Sequence, residues 1–227
     1  MTKKPRLSKE QIRQRKEFCN RWINIEDDDL HFWVFSDETR INISESDGAV
    51  RVLRRTGEEL LPECIVSTEK FGGGSVSFWG CIGLQPGVLV QYDGPLTSEK
   101  YCDLLHDNMD EALINMFSTV DDEFVLYQDG ASWHTSKVVK YFFEEKEWTV
   151  ITGPPNSPDL NLIENVWGYI KKKMAEYQTK ASSLEELADR FRSQFFSIPS
   201  EVISAITHSF RNRLEAVRKA KGKNTKY

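Results

Sequence analysis

The sequence predicts an α/β fold, a mixed five-stranded sheet with helices on both faces. Two observations predict it. Three strand-like runs come first, and helix and strand alternate after them. Residues 8–23 read as a helix, with Ile12, Cys19, Trp22 and Ile23 on an irregular apolar side. The run His31-Phe-Trp-Val-Phe-Ser36 reads as the first strand, ended by Asp37. A polar segment rich in Glu, Arg and Gly follows at 44–73, long for a structureless connection and so either a functional insertion or a solvated loop. Strands return at 74–82 and 87–92, parted by the turn signal Pro86-Gly87. Tyr101, Leu104, Leu105, Ala112, Leu113 and Met116 recur at helical spacing across 97–117. A strand ending at Asp129, a helix at 134–146 and a strand at 148–152 complete the alternation. The next helix begins near Ser157-Pro-Asp-Leu-Asn161, and two more are expected at 182–196 and 199–219.

A chain of 227 residues can bury one sizeable core, and 39% hydrophobic with 29% charged residues fits a globular protein. No apolar stretch approaches the roughly 20 residues a membrane-spanning helix needs, so no membrane partner is expected. Residues 1–6 contain no apolar signal core, so secretion is not expected. Cys19, Cys64, Cys81 and Cys102 are widely spaced and read as reduced thiols of an intracellular protein, with no zinc or disulfide framework. His31, His106 and His208 have no zinc spacing either, and Gly72-Gly73-Gly74 lacks the Lys-Ser/Thr word of a phosphate loop.

The net charge of −5 is unevenly distributed. Residues 1–16 carry seven Lys/Arg and one Glu, and residues 211–227 carry the same numbers. Removing both ends from the chain's 30 basic and 35 acidic residues leaves 16 basic and 33 acidic in the body. Basic ends of this kind are either arms that touch nucleic acid or solvated tails.

Three acids stand out: Asp37, Asp129 and Glu164, with 34 residues between the last two. The first two end strand-like runs, and the third lies in the first turn of a helix. With 35 acids in the chain, spacing alone says little. Glu164 admits a second role, because with Asn161 as N-cap it would occupy the acidic position of a capping box. Ile163, Val166, Trp167, Ile170 and Met174 form the buried stripe of that helix, with Glu164 on its edge and Gly168 above.

The words around the acids carry more weight. Phe35-Ser-Asp-Glu38, Tyr127-Gln-Asp-Gly-Ala-Ser-Trp-His134 and Ser157-Pro-Asp-Leu-Asn-Leu-Ile-Glu-Asn-Val-Trp167 resemble the catalytic blocks of mariner-superfamily transposases of the Asp-Asp-Glu branch. Phe71-Gly-Gly-Gly-Ser-Val-Ser-Phe-Trp-Gly80 fits as well, and the likeness runs from about Pro5 to Gln178. Gly130 stands where Asn is common, and Ser132 and Leu162 where Pro is common.

The resemblance implies an RNase H-like domain that cuts DNA at transposon ends and joins the freed ends to a target. It makes Asp37, Asp129 and Glu164 catalytic residues holding two Mg²⁺ ions, with Mn²⁺ able to substitute. Hard cations take such oxygen ligands and keep positions for water and phosphate. It further implies a homodimer on DNA and a nuclear location. Residues 1–30 become a basic linker helix, 31–180 the catalytic domain with a clamp-like arm at 44–73, and 181–227 C-terminal helices with a basic tail. Arg54, Arg55, His134 and Lys171 are the candidate DNA contacts. His134 is equally readable as a structural histidine, and Lys171 as an ordinary exposed lysine. Only 36 residues precede Asp37, with one helix where such enzymes carry two helix-turn-helix units. That leaves a second function in play, a non-catalytic DNA-binding or assembly protein derived from a transposase.

Overall fold

A computed structural model describes residues 6–43, 74–118 and 123–227. The predicted arm at 44–73, with Arg54, Arg55 and Cys64, lies outside the described residues. Helix α1 (Lys9–Trp22) starts at Ser8, whose Oγ accepts from the Gln11 amide while the Gln11 side chain accepts from the Ser8 amide. This is a capping box, which satisfies two otherwise orphaned donors. The irregularity of the helix's apolar side has a cause. Arg15 occupies the buried stripe between Ile12 and Cys19.

A single turn α2 (Asp27–Leu30) leads into β1 (Trp33–Asn42). The strand runs six residues past Ser36, so Asp37 lies inside it rather than at its end. Residues 37–42, polar but for Ile41, stay extended because each pairs with β2 (Ser75–Ile82), from Asp37 opposite Gly80 to Asn42 opposite Ser75. Such distant ladder partners override weak local propensity. β3 (Pro86–Tyr92) pairs antiparallel with β2, while β4 (Val125–Gln128) and β5 (Thr149–Thr152) join parallel on the other side of β1. The order β3-β2-β1-β4-β5 is the mixed five-stranded sheet that the sequence predicts.

Alternation along the strands divides the core in two. Trp33, Phe35 and Tyr127 face one side, where α1, α5 (Ile163–Met174), α6 (Leu184–Phe196), α7 (Ser200–His208) and α8 (Phe210–Lys219) pack. Val34, Trp79 and Leu126 face the other, under α3 (Ser98–Phe117) and α4 (Lys137–Glu145). The helix expected over 199–219 is two helices. The Ser209 hydroxyl bonds the Ile206 carbonyl at the break, a local bond that competes with the helical ladder.

The C-terminal basic stretch is not a solvated tail. Phe210, Leu214 and Val217 are fully buried, and Arg15 Nε donates to the Gly222 carbonyl at 3.0 Å. Gly222 has φ +84°, and a Cβ there would stand 2.2 Å from the Ile12 carbonyl oxygen. Glycine is the residue that accepts both conditions.

Candidate active site

The parallel register Phe35↔Tyr127, carried two residues on, puts Asp37 level with Asp129. Asp37 shares the face of Trp33 and Phe35, and that face carries α5, whose second residue is Glu164. All three acids line one pocket of about 400 Å³, walled by the loop 153–158 and Asn161. The structure therefore brings together the three residues that the sequence singles out.

Each strand acid is oriented by an identifiable donor. Trp167 Nε1 donates to Asp37 Oδ2 at 3.2 Å. That indole needs Gly80 opposite Asp37, since a Cβ on Gly80 would come 2.8 Å from the ring. Gly80→Ala should cost about 1–3 kcal/mol through overpacking. A thermal melt within 1 °C of the parent would show that the ring has room to spare. Asp129 Oδ1 accepts from the Ala131 amide at 2.9 Å and meets His134 Nδ1 at 2.7 Å. His134 Nε2 reaches Glu38 Oε1 at 3.1 Å, so the ring bridges two carboxylates.

His134 is buried, with the Tyr101 ring 4.3 Å away, and Gln128 Nε2 donates to its carbonyl oxygen. The histidine thus belongs to the support of Asp129, and of its two readings the structural one fits. It lies in the turns before α4, whose N-cap is Ser136. Glu38, Trp167 and Gly80 are parts of the site that sequence reading missed. Glu38 and Trp167 stand in the same words as Asp37 and Glu164, and Gly80 ends the word Phe71–Gly80.

The capping box at Glu164 is absent. Leu162 is the helical N-cap and makes no side-chain cap bond, and Asn161 is buried with its Nδ2 donating to the Ser36 carbonyl at 3.0 Å. Asn161 has the polarity and the place of a cap, just before an apolar helix. Its partner lies 125 residues away. Gly130 leaves room for a side chain, since a Cβ there meets only ordinary contacts beyond 3.6 Å. Lys171 is exposed and lines the neighbouring groove with Ile41 and Met174, outside the acid pocket.

The electrostatics are those of uncompensated negative charge. Burial raises the Asp37 carboxyl to about 8, helped by the charges of Glu164, Glu38 and Asp129. Glu164 is raised by crowding protein atoms and by Asp129, with the Lys171 charge opposing. Asp129 is held low by its bond to His134. Burial alone would lower His134, but its bonds to Asp129 and Glu38 and their charges prevail and raise it to about 9. Net negative charge that pushes carboxylates toward protonation is relieved by a cation.

The donor set fits a hard divalent ion, being carboxylate oxygens with the buried Asn161 Oδ1 that has no protein hydrogen-bond partner. Among the described residues no three or more His, Cys, Asp or Glu side chains stand close enough to hold a metal ion by themselves. The acids face a shared space wide enough for ions that keep other ligands.

A sequence model of the DDE superfamily endonucleases matches residues 33–188, which contain all three acids. The chain belongs to this family. Over 226 residues the DDE endonuclease is 33% identical to the Tcb2 transposase of Caenorhabditis briggsae, covering 99% of this chain and 81% of the relative. It is 31% identical to the Tc1 transposase of Caenorhabditis elegans, with the same coverage of each. In fold it is similar to the catalytic domain of Mos1 mariner transposase, with TM-score 0.75 at 16% identity, covering 99% of this chain and all of that one. The Mos1 mariner paired end complex with Mn gives TM-score 0.80 at 18% identity, covering 100% of this chain and 68% of that one. The RNase H-like architecture expected of the DDE endonuclease is the one observed. No described helix is long and apolar enough to cross a membrane.

Proposed function

We propose that the protein is the catalytic part of a DNA transposase, cutting phosphodiester bonds at transposon ends and transferring the freed strand to target DNA. The observation that carries this reading is the convergence of Asp37, Asp129 and Glu164 on one pocket with unbalanced negative charge. The three carboxylates would hold one or two Mg²⁺ or Mn²⁺ ions, and Asn161 borders their space. When bound, such ions activate a water or a DNA 3′-hydroxyl and stabilise the departing oxygen.

The chain's own part is orientation. Trp167 turns the Asp37 carboxylate, and His134 with the Ala131 amide turns that of Asp129. The bridging His134 also places positive charge behind Asp129, which keeps that acid ionised. The relatives are transposases by name, and structures of Mos1 include a paired-end complex with a transposon end and a strand transfer complex. By that analogy the partner is DNA, the assembly on DNA is a homodimer, and the site of action in a eukaryotic cell is the nucleus. Of the candidate DNA contacts, Lys171 lies exposed in the groove beside the acid pocket, whereas His134 bridges two carboxylates. We read the chain as a basic linker helix at 1–30, a catalytic domain at 31–180 and C-terminal helices at 181–227, with α1 and α8 packed on each other.

The test is nicking of supercoiled plasmid with Mg²⁺ or Mn²⁺. Parent protein should convert plasmid in a metal-dependent way, and Asp129→Ala should not. Saturating Mn²⁺, at about 100 times its dissociation constant, should raise stability by roughly 2.7 kcal/mol. Metal-independent nicking that Asp129→Ala retains would sink the proposal. It would leave a DNA-binding or assembly role, which nothing in the geometry favours over the enzyme.

A further inference from the structure

Two buried arginines from outside the matched span 33–188 close on the residues around Glu164. Arg213, on α8, donates through Nη1 to the Asp159 carbonyl oxygen at 3.1 Å and to Asn165 Oδ1 at 2.7 Å. Its Nε donates to Ser209 Oγ at 2.8 Å, and the Tyr227 ring centroid lies 4.8 Å from the guanidinium carbon. Arg15, on α1, makes a bidentate pair with the Asp159 carboxylate at 2.7 Å for each bond. Thr225 Oγ1 donates to the same carboxylate at 2.8 Å.

Asp159 and Asn165 bracket Glu164, one in the 3₁₀ turn Pro158–Leu160 before α5 and the other in its first turn. The start of α5 has no side-chain cap of its own. Its placement therefore relies on partners from elsewhere in the chain.

We propose that Arg213 is a positioning residue for the third acid, fixing Glu164 by clamping the backbone before it to the helix after it. The inference rests on the reading of Glu164 as a metal-holding acid. Nη1 alone reaches both acceptors while Nε is tied to Ser209 Oγ, so the rigid plane of the guanidinium fixes the direction of Nη1, which a freely turning ammonium would lack. Catalytic carboxylates work within about 0.5 Å of their productive place. Partners one step removed from a ligand typically change metal affinity 10–100-fold. Arg213 acts on Glu164 through its neighbours, so the low end of that range is expected.

The experiment measures Mn²⁺ affinity of the full chain by counting free ion with electron paramagnetic resonance, beside a thermal melt. Asn165→Leu and Arg213→Lys should each weaken binding about 10-fold. Leu113→Ala, on α3 in the core of the other sheet face, should lower the melting temperature and leave affinity unchanged. In a Glu164→Gln background, Arg213→Lys should cause no further loss, because the acid through which it acts is gone. If Arg213→Lys does not fold, the half-buried Asn165 decides the question alone. Parent-like affinity in Asn165→Leu and in any folded Arg213→Lys, alongside a weakened Glu164→Gln, would overturn the inference and leave the site intact. Parent-like affinity in Glu164→Gln would remove the reading beneath it.

Discussion

Glu164→Gln should abolish metal-dependent strand cleavage, by roughly 10²-fold or more, in a protein that folds as the parent does. Ion stabilisation of a developing charge is worth several kcal/mol, and each 1.36 kcal/mol is a factor of ten in rate. Gln keeps the size of the side chain and loses its charge. No cap bond is sacrificed, because the side chain makes none at the start of α5. Crowding and the Asp129 charge already disfavour the ionised form. Stability without metal should therefore change by less than about 1 kcal/mol, a small mutational effect, and in the direction of a gain. Plasmid nicking and thermal melts on the one variant are sufficient. Parent-level nicking would remove Glu164 from the chemistry.

Asp37→Asn should flatten the pH dependence of stability. In the folded protein Asp37 titrates near 8, against about 3.8 for an ordinary aspartate. Between those values the native state holds a proton that the unfolded chain has lost. Stability from this group is therefore greatest at low pH and declines as pH rises from about 4 to 8. Four units correspond to about 5 kcal/mol as an upper limit. Solvent at the pocket mouth reduces this, to roughly 2 kcal/mol at pH 8.

In the metal-free protein, Asp37→Asn should thus raise the melting temperature by about 4–8 °C at pH 8 and hardly at all at pH 4. The amide oxygen can still accept from Trp167. Some slope should survive. His134 is raised from 6.5 to about 9, so its contribution is full below 6.5 and is lost as pH climbs through 9. Parallel stability curves for parent and variant from pH 4 to 8 would contradict the account. Saturating Mn²⁺ should suppress the same slope in the parent, since the ion replaces the proton.

The acids were legible because each sits in a short word that local geometry imposes: a strand, a strand end and a helix start. The elements were legible for the same reason, down to the limits of α3, β4 and β5. What escaped is non-local. Residues 37–42 look like a polar loop until Ser75–Gly80 supply their ladder. Asn161 looks like a cap until the Ser36 carbonyl claims it. Arg15 and Arg213 look like two more charges in basic ends, and only the fold reveals that one is wholly buried and the other nearly so. A sequence shows charge but not desolvation, and desolvation is what gives these two arginines their weight.

The bond between Arg15 and Gly222 joins residues 207 positions apart. During synthesis the guanidinium emerges well before its carbonyl partner and Arg213. Until then the turn at Asp159 lacks the Arg213 bond to its carbonyl and the Thr225 bond to its carboxylate. The nascent enzyme is thus expected to stay inert beside any nucleic acid until residues 210–227 are made. Stalled chains ending before residue 210 should show no protection from protease on adding Mn²⁺, and protection there would refute this order of assembly. Folding dominated by such distant contacts is slow, and here slowness delays the moment at which the protein becomes able to cut.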